Sequence, residues 1–475
     1  RQRKWGLPIP VFYCADCGKP ICTEETIEKI SQLFGQYGSN IWFEKEAADL
    51  LPEGFVCPHC GSKSGFTKET DTLDGWFDSG STHFAAMKKD QGFWPATVYM
   101  EGLDQYRGWF QSSLLTAVGA LGQGAPFQQC ITHGWTVDGQ GRAMHKSLGN
   151  GVDPADIFQK YGADMIRLWA GSADYHVDVR CSDAIFKQLS QTYLKFRNTA
   201  KYMLDNLVGF DPDHLVSPAE LLPLDKWAIT KLNALTRTVL EAYDNYEFHV
   251  VSHEINDFCV VELSSLYLDV VKDRLYCEGK DSLARRSAQT AIYLILDTMT
   301  RLFAPILAFT CDEIWLAMPH KQGDDERNVV LNTYNPEFTE YALGEDEMAQ
   351  WDTLMKLRDG VNAALETARA AKRIGKSLEA HVVLAADDSG KEALAALESA
   401  FAGQWADIFI VSDVETTGDG EVFAQSAETP IPGVRVQVSE ARGVKCPRCW
   451  KHSVTDHADG LCARCAAVVR EQLGE

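Results

Sequence analysis

The sequence predicts a multidomain chain of α/β plus α class: mixed α/β at its start, α-helical through its middle, and closed by a small α/β unit and a cysteine knuckle. Three observations predict it. Short β-type runs and turn signals fill residues 1–150, and apolar residues recur every three or four positions from Ser182 to about Met318. Four Cys-x2-Cys pairs stand in two sets, one toward each end. At 475 residues the chain is too long for a single core. Its 45% apolar and 24% charged composition is that of an ordinary globular protein. No apolar run approaches the roughly 18 residues that span a bilayer, so no membrane association is expected. The opening Arg1-Gln2-Arg3-Lys4-Trp5-Gly6 has no apolar stretch behind it and is not a signal peptide. With no initiator Met, the chain is expected to be part of a longer, cytoplasmic protein.

Along the chain, Phe127 to Trp135 reads as a buried strand and Asp138-Gly139-Gln140-Gly141 as a tight turn. Asp153-Pro154 starts a helix, Asp as N-cap and Pro at the first helical position, and helical spacing continues over 155–170. From Ser182, Ile185, Phe186, Leu189, Tyr193, Phe196, Ala200, Met203 and Leu207 form one apolar stripe. A break rich in Asp and Pro covers Gly209 to Pro223, and further helices are predicted over 225–245, 250–277 and 282–317. These form an α-bundle whose aromatic and Met residues pack its core. Residues 321–345 read as loop, with a helix following to about Arg373. A strand at His381–Ala385, a helix at 391–402 and β-rich runs at 407–414 and 434–438 make a small α/β unit. The knuckle begins near Val444.

Fourteen cysteines in 475 residues fall short of a disulfide scaffold. Eight lie in the pairs; Cys22, Cys130, Cys181, Cys259, Cys277 and Cys311 stand mostly in apolar runs and read as buried thiols. The C-terminal set, Cys446-x2-Cys449-x12-Cys462-x2-Cys465, has the spacing of a closed four-thiolate zinc site. Cys14-x2-Cys17-x39-Cys57-x2-Cys60 forms a second zinc site, its long gap holding a small unit of its own. Gly18 and Gly61 follow the pairs so that the backbone can fold under the metal. With four thiolates each, both sites are structural: no position is left for a reacting water.

The net charge of −22 argues against general nucleic-acid binding. Basic residues are nevertheless concentrated locally. Residues 351–376 hold six against three acids, and the knuckle holds Arg442, Lys445, Arg448, Lys451, Arg464 and Arg470 against Asp456 and Asp459. Basic patches on an acidic body suit contact with one folded RNA.

Gly141-Arg142-Ala143-Met144-His145-Lys146-Ser147-Leu148-Gly149-Asn150 resembles the KMSKS loop of class I aminoacyl-tRNA synthetases, written GRKMSKSLGN there. Lys146 and Ser147 match, while Ala143 replaces the first Lys and His145 the first Ser. Such a loop carries ammonium groups to a departing pyrophosphate, whose charge grows in the transition state. Other segments resemble the isoleucyl-tRNA synthetases: Arg1 to Pro10, the Asp74–Gly80 strand region, Glu101 to Phe110, Lys195 to Thr199, Ala304 to Leu307 and Glu313-Ile314-Trp315. The knuckle resembles that of bacterial isoleucyl enzymes, and the charged coiled coil expected of a valyl enzyme is missing. No HIGH motif or Thr-rich editing domain occurs.

The resemblance implies the second half of a Rossmann-type catalytic domain in 1–150, with a zinc insertion at 14–60 and the loop at 143–147. It further implies stem-contact helices at 151–181, an anticodon-binding bundle at 182–320, a junction unit at 321–440 and a zinc knuckle at 441–475. It implies that Glu101, Asp104 and Gln105 hold the adenylate's amino group and ribose. His133 and Gly134 would lie beside adenosine, Met144 and Lys146 at the nucleotide, Lys146 and Ser147 in catalysis, and Trp76 and Trp109 around the amino-acid side chain. The implied activity of the longer protein is ATP/Mg-dependent ligation of isoleucine to tRNA(Ile) by a monomer, this part being inactive alone. The alternatives are a valyl enzyme and a non-catalytic, zinc-stabilised tRNA-binding protein.

Overall fold

The structure is a computed structural model and describes residues 6–89, 91–454 and 460–474. The first five residues of the opening motif, and knuckle residues Asp456 and Asp459, lie outside them. Contacts divide the chain into two compact units. One runs to Val137 and adds Tyr175–Val179; the other comprises Asp138–Asp174 and everything from Arg180 onward. The boundary falls inside the 1–150 segment and assigns the Lys146 loop to the second unit.

The first unit holds two cores. Around the first cysteine set, strands Phe12–Cys14, Pro20–Ile21 and Phe66–Lys68 form an antiparallel sheet. The long cysteine gap folds as expected into its own helices, Glu24–Tyr37, Ile41–Glu44 and Ala47–Leu50. Thr23 starts the first helix through a capping box. Trp42, fully buried among Phe12, Ile30 and Leu50, donates its indole N–H to Glu69 O at 2.8 Å. The second core surrounds the parallel strands Ala96–Gly102 and Phe127–His133, where Tyr99 stacks on Trp109 with ring centroids 4.3 Å apart.

Three expectations need correction here. The strand at Phe127–His133 forms but is not buried, since none of its residues is fully covered in a two-stranded sheet. Asp74–Gly80 is a helix start, not a strand: Gly75–Gly80 is α-helical because the Asp74 carboxylate caps it, accepting the Trp76 N–H at 2.8 Å. Cys130 and Cys22 are exposed rather than buried. The two-stranded parallel sheet carrying Cys130 leaves that side chain uncovered.

The second unit opens with the Lys146 loop and helices Pro154–Tyr161 and Ala163–Ser172, a pair where one helix was expected, broken at Gly162 with φ 87°. Asp153 caps the first as predicted. The bundle follows in Asp183–Asn206, Pro223–Asp244, Phe248–Asp257, Leu283–Phe303 and Ala308–Ala317. The expected helix over 250–277 is interrupted: Phe258–Tyr267 is π-helical, and short turns follow to Cys277. Two buried carboxylate clusters in the bundle are fully paired. Asp225 accepts from Tyr267, Ser287 and Arg274, and Asp297 with Asp324 encloses Arg301.

Helix Glu345–Ala370 leads into a four-stranded sheet ordered Ala427–Glu428, Val434–Glu440, Ala380–Ala386, Asp413–Thr417. The last pair is parallel and the others are antiparallel. The β-rich run expected at 407–414 is mostly helical turn, Trp405–Ile408, with the strand starting at Asp413. Trp405, Ile408 and Phe409 are all buried, so a run of apolar residues that reads as a strand is here a buried helix. One contiguous core runs from Leu168 through the bundle to Val438.

Candidate functional site

Both cysteine sets converge. The four Sγ atoms of Cys14, Cys17, Cys57 and Cys60 lie within 4.8 Å of one another, as do those of Cys446, Cys449, Cys462 and Cys465. Individual Sγ–Sγ distances are 3.6 Å for Cys14–Cys60 and 3.8 Å for Cys17–Cys57 and Cys449–Cys462. A tetrahedron with Zn–S bonds of about 2.3 Å places sulfurs about 3.8 Å apart. Both sets can therefore hold zinc, and no pair is a disulfide. Gly18 and Gly61 take φ of 69° and 81°, the left-handed turn that lets each pair fold back. Although burial opposes ionisation, backbone N–H groups around Cys57 and Cys446 lower these two thiols, while the neighbouring Cys60, Cys449 and Cys465 are pushed up, so each set favours one thiolate before metal enters.

The cations of the C-terminal knuckle are largely paired within the protein, which the charge count alone did not anticipate. Arg464 forms a two-pronged pair with Asp273, and Lys451 contacts Asp273 and Asp407. Arg442 contacts Asp413 and Glu415, Lys445 contacts Glu379, and Arg448 donates to Cys277 O. In the 351–376 patch, Arg358 is half-buried with its Nε on Ile408 O, and Lys376 lies over the Trp450 ring at 5.2 Å. Arg369, Lys372, Arg373, Lys445 and His452 line a cavity of about 600 Å³, with Glu379 and Glu440 on its wall.

In the first unit, Glu101 and His133 stand at the C-terminal ends of the parallel strands, with Glu101 opposite Thr132 and Gly102 opposite His133. Ligands of parallel α/β sheets bind at this end. The chain then turns through Leu103–Arg107, carrying Asp104 and Gln105. Gln105 Nε2 donates to Asp104 Oδ2 at 3.2 Å, while its Oε1 accepts the Trp109 N–H at 2.9 Å. Trp109 donates its indole N–H to Ser79 O, joining the helices that carry the two predicted pocket tryptophans. Trp76 is 45% exposed, and both it and Gln105 occupy the space that a Cβ on Gly108 would need. Gly134 abuts the Val177 backbone so closely that a Cβ would sit 2.4 Å from its carbonyl. Its N–H donates to Tyr175 O.

The Lys146 loop is built around Asp138 and Asn150. Asp138 Oδ1 accepts the N–H groups of Gln140 and Arg142, and Oδ2 accepts the Arg142 guanidinium and Asn150 Nδ2. Asn150 also donates to Ala143 O and accepts the His145 N–H, tying both ends of the loop. Asn150 first and then Arg142 hold the Asp138 carboxyl well below the usual carboxylate range. Met144 packs on Ile157, Met165, Cys181 and Phe186, anchoring the loop from beneath. Lys146 and Ser147 start a single exposed turn ended by Gly149. Among the described residues, Lys146 Nζ has no ion-pair partner. The sequence picked out Asn150 only as part of the motif; its role as a staple shows in the fold.

Residues 1–182 match the family described as tRNA synthetases class I (I, L, M and V), and residues 225–384 match the anticodon-binding domain of tRNA ligase. The chain belongs to the class I tRNA synthetases. Within that class it is 47% identical over 481 residues to the isoleucine--tRNA ligase of Caldanaerobacter subterraneus subsp. tengcongensis, covering 100% of this chain and 50% of that protein. It is 47% identical to that of Moorella thermoacetica and 46% identical to that of Syntrophotalea carbinolica, over 99% of this chain and 51% and 50% of theirs. The chain thus spans about half the length of the curated relatives it matches. A solved ternary complex of LeuRS, tRNA and LeuAMS from Agrobacterium radiobacter shares the fold, with a TM-score of 0.51 at 17% identity, over 84% of this chain and 46% of that one. No described helix is long and apolar enough to cross a membrane.

Proposed function

We propose that this chain is the second half of an enzyme that joins isoleucine to tRNA(Ile) through an isoleucyl-adenylate, with ATP/Mg as co-substrate. The carrying observation is its end-to-end likeness to isoleucine--tRNA ligases. That likeness also favours the isoleucyl over the valyl reading.

Glu101, Asp104, Gln105 and His133, gathered at the parallel strand ends, support an adenylate-binding role. A carboxylate there attracts the substrate ammonium by a charge-assisted hydrogen bond. Trp76 and Trp109 supply rigid apolar walls for the amino-acid side chain. Gly134 keeps the strand exit narrow beside the adenosine, and Met144 holds the loop in place. Lys146, without an ion-pair partner among the described residues, meets the charge that develops on pyrophosphate, with Ser147 beside it. Zinc occupies both cysteine sites, where it fixes local folds and supplies no step of the reaction. The bundle and the basic cavity above Lys372 and Arg373 take the tRNA.

The test is Lys146→Ala in the full-length enzyme. ATP–pyrophosphate exchange should fall by about 10²–10³-fold with little change in the isoleucine KM, since a donor to transition-state charge acts on the rate. Exchange at the unaltered rate would remove Lys146 from the mechanism.

A further inference from the structure

Away from the cysteine sites and the strand ends, the sheet of the second unit carries one more cluster of metal-ligating side chains. His381 lies on strand Ala380–Ala386, directly opposite Asp413 on the parallel strand Asp413–Thr417, with Glu415 two residues on. Residues two apart on a strand face the same side, so both carboxylates flank the imidazole. Nδ1 of His381 is 3.1 Å from Asp413 Oδ2, and Nε2 is 3.4 Å from Glu415 Oε2. The histidine side chain is only 7% exposed, while the two carboxylates, on the edge strand, are 45% and 50% exposed. Nδ1 is buried, and despite its proximity to Asp413 it is not aligned to form a hydrogen bond.

A neutral imidazole has one N–H and one lone pair. With a carboxylate at each ring nitrogen, either tautomer turns a lone pair on an anion. The arrangement therefore calls for positive charge, supplied either by a second ring proton or by a metal ion between ring and carboxylates. Arg442 supplies positive charge at the rim, its Nη2 reaching Asp413 Oδ2 at 2.7 Å and also Glu415 Oε1. It touches only the carboxylates and leaves the imidazole unsatisfied.

The geometry points to a divalent transition-metal site formed by His381, Asp413 and Glu415, with Arg442 as the competing counterion. One ligand atom from each residue lies within 4.8 Å of the others, so a bound ion draws them inward slightly. One imidazole and two carboxylates suit Mn, Fe(II), Co or Zn rather than the all-oxygen ions, and edge-strand exposure leaves positions for water. Metal entry displaces Arg442, which sits four residues before Cys446 in the segment leading to the C-terminal knuckle.

The probe is Mn²⁺, which prefers oxygen and nitrogen donors and leaves thiolate-bound zinc in place. The chain, loaded with zinc at its cysteine sites and freed of excess metal, is titrated with Mn²⁺ and followed by loss of the free-ion EPR signal. One Mn²⁺ per chain is expected beyond the zinc, with binding abolished in His381→Ala and in the near-isosteric pair Asp413→Asn, Glu415→Gln. Arg442→Gln should tighten it about tenfold, because two half-exposed ion pairs no longer compete. No saturable Mn²⁺ binding, or binding unchanged in both the His381 and the carboxylate variants, would overturn the site. So would an imidazole NMR signal showing His381 doubly protonated at neutral pH and indifferent to added metal, since a proton would then be the cation.

Discussion

Asn150 shows how one side chain orders a loop whose reactive residue must stay free. It binds Asp138, Ala143 and His145 at once, while Lys146 lies in a short exposed turn with no ion-pair partner among the described residues. We expect Asn150→Ala to speed proteolytic cleavage within 140–149 several-fold and to lower pyrophosphate exchange in the full-length enzyme. Lys146→Ala should lower exchange alone; equal protease sensitivity of wild type and Asn150→Ala would show that the staple is dispensable. Asp138 adds a pH dependence. Its folded-state carboxyl is lowered by Asn150 and Arg142, so its contribution is fully present above the ordinary carboxylate pKa of about 4 and is lost as pH falls through the lower folded value. Loop protection measured by the same proteolysis with an acid-active protease should therefore persist at pH 5 and decline only well below pH 4. Loss already between pH 6 and 5 would contradict this.

Among the elements, the C-terminal knuckle depends most on something other than its own packing. Its hairpin strands are two residues each, Val444–Lys445 and His452–Ser453, followed by helix Ala463–Leu473. Its apolar cluster consists of the four cysteines with Cys277 and Leu461, separate from the large core. Small domains of this kind draw their folding energy from the metal. Stripping metal with a chelator should abolish hydrogen-exchange protection in 444–454 and 460–473 while leaving Leu283–Phe303 protected. Loss of both together would mean that the knuckle and bundle form one cooperative element. The first cysteine site should tolerate stripping better, because Phe12, Ile30, Trp42 and Leu50 pack beneath it.

At the scale of the whole molecule, the bundle and the small α/β unit share one core. Trp351, on the helix joining them, lies 5.9 Å from Trp227 of the bundle and 4.7 Å from Phe401 of the α/β unit, ring centre to ring centre. It is 2% exposed. Trp351→Ala should cost about 3–5 kcal/mol and lower the urea midpoint of bundle and sheet together. Separate transitions for probes in the two parts would show that their shared core does not couple them.

The sequence by itself determined the family, the helical stripe of the bundle, both cysteine sites and the identity of the Lys146 loop. Each depends on local spacing: a CxxC turn, a 3.6-residue period, an Asp-Pro helix start. Close neighbours along the chain settle these features, apart from the joining of Cys14 and Cys17 to Cys57 and Cys60 across a 39-residue gap. Tertiary structure alone decided that 405–408 becomes helical, since burial from all sides overrides a β-like pattern, whereas the helix start at Asp74–Gly80 is local, set by the Asp74 cap. It decided that Cys130 is exposed, because that depends on what covers the sheet. It decided that Arg464 and Lys451 serve Asp273 and Asp407, and that His381 faces Asp413 and Glu415. Those partners are many residues away in sequence. Pairings of charges at such separations are fixed by how helices and strands pack, and no local pattern records them.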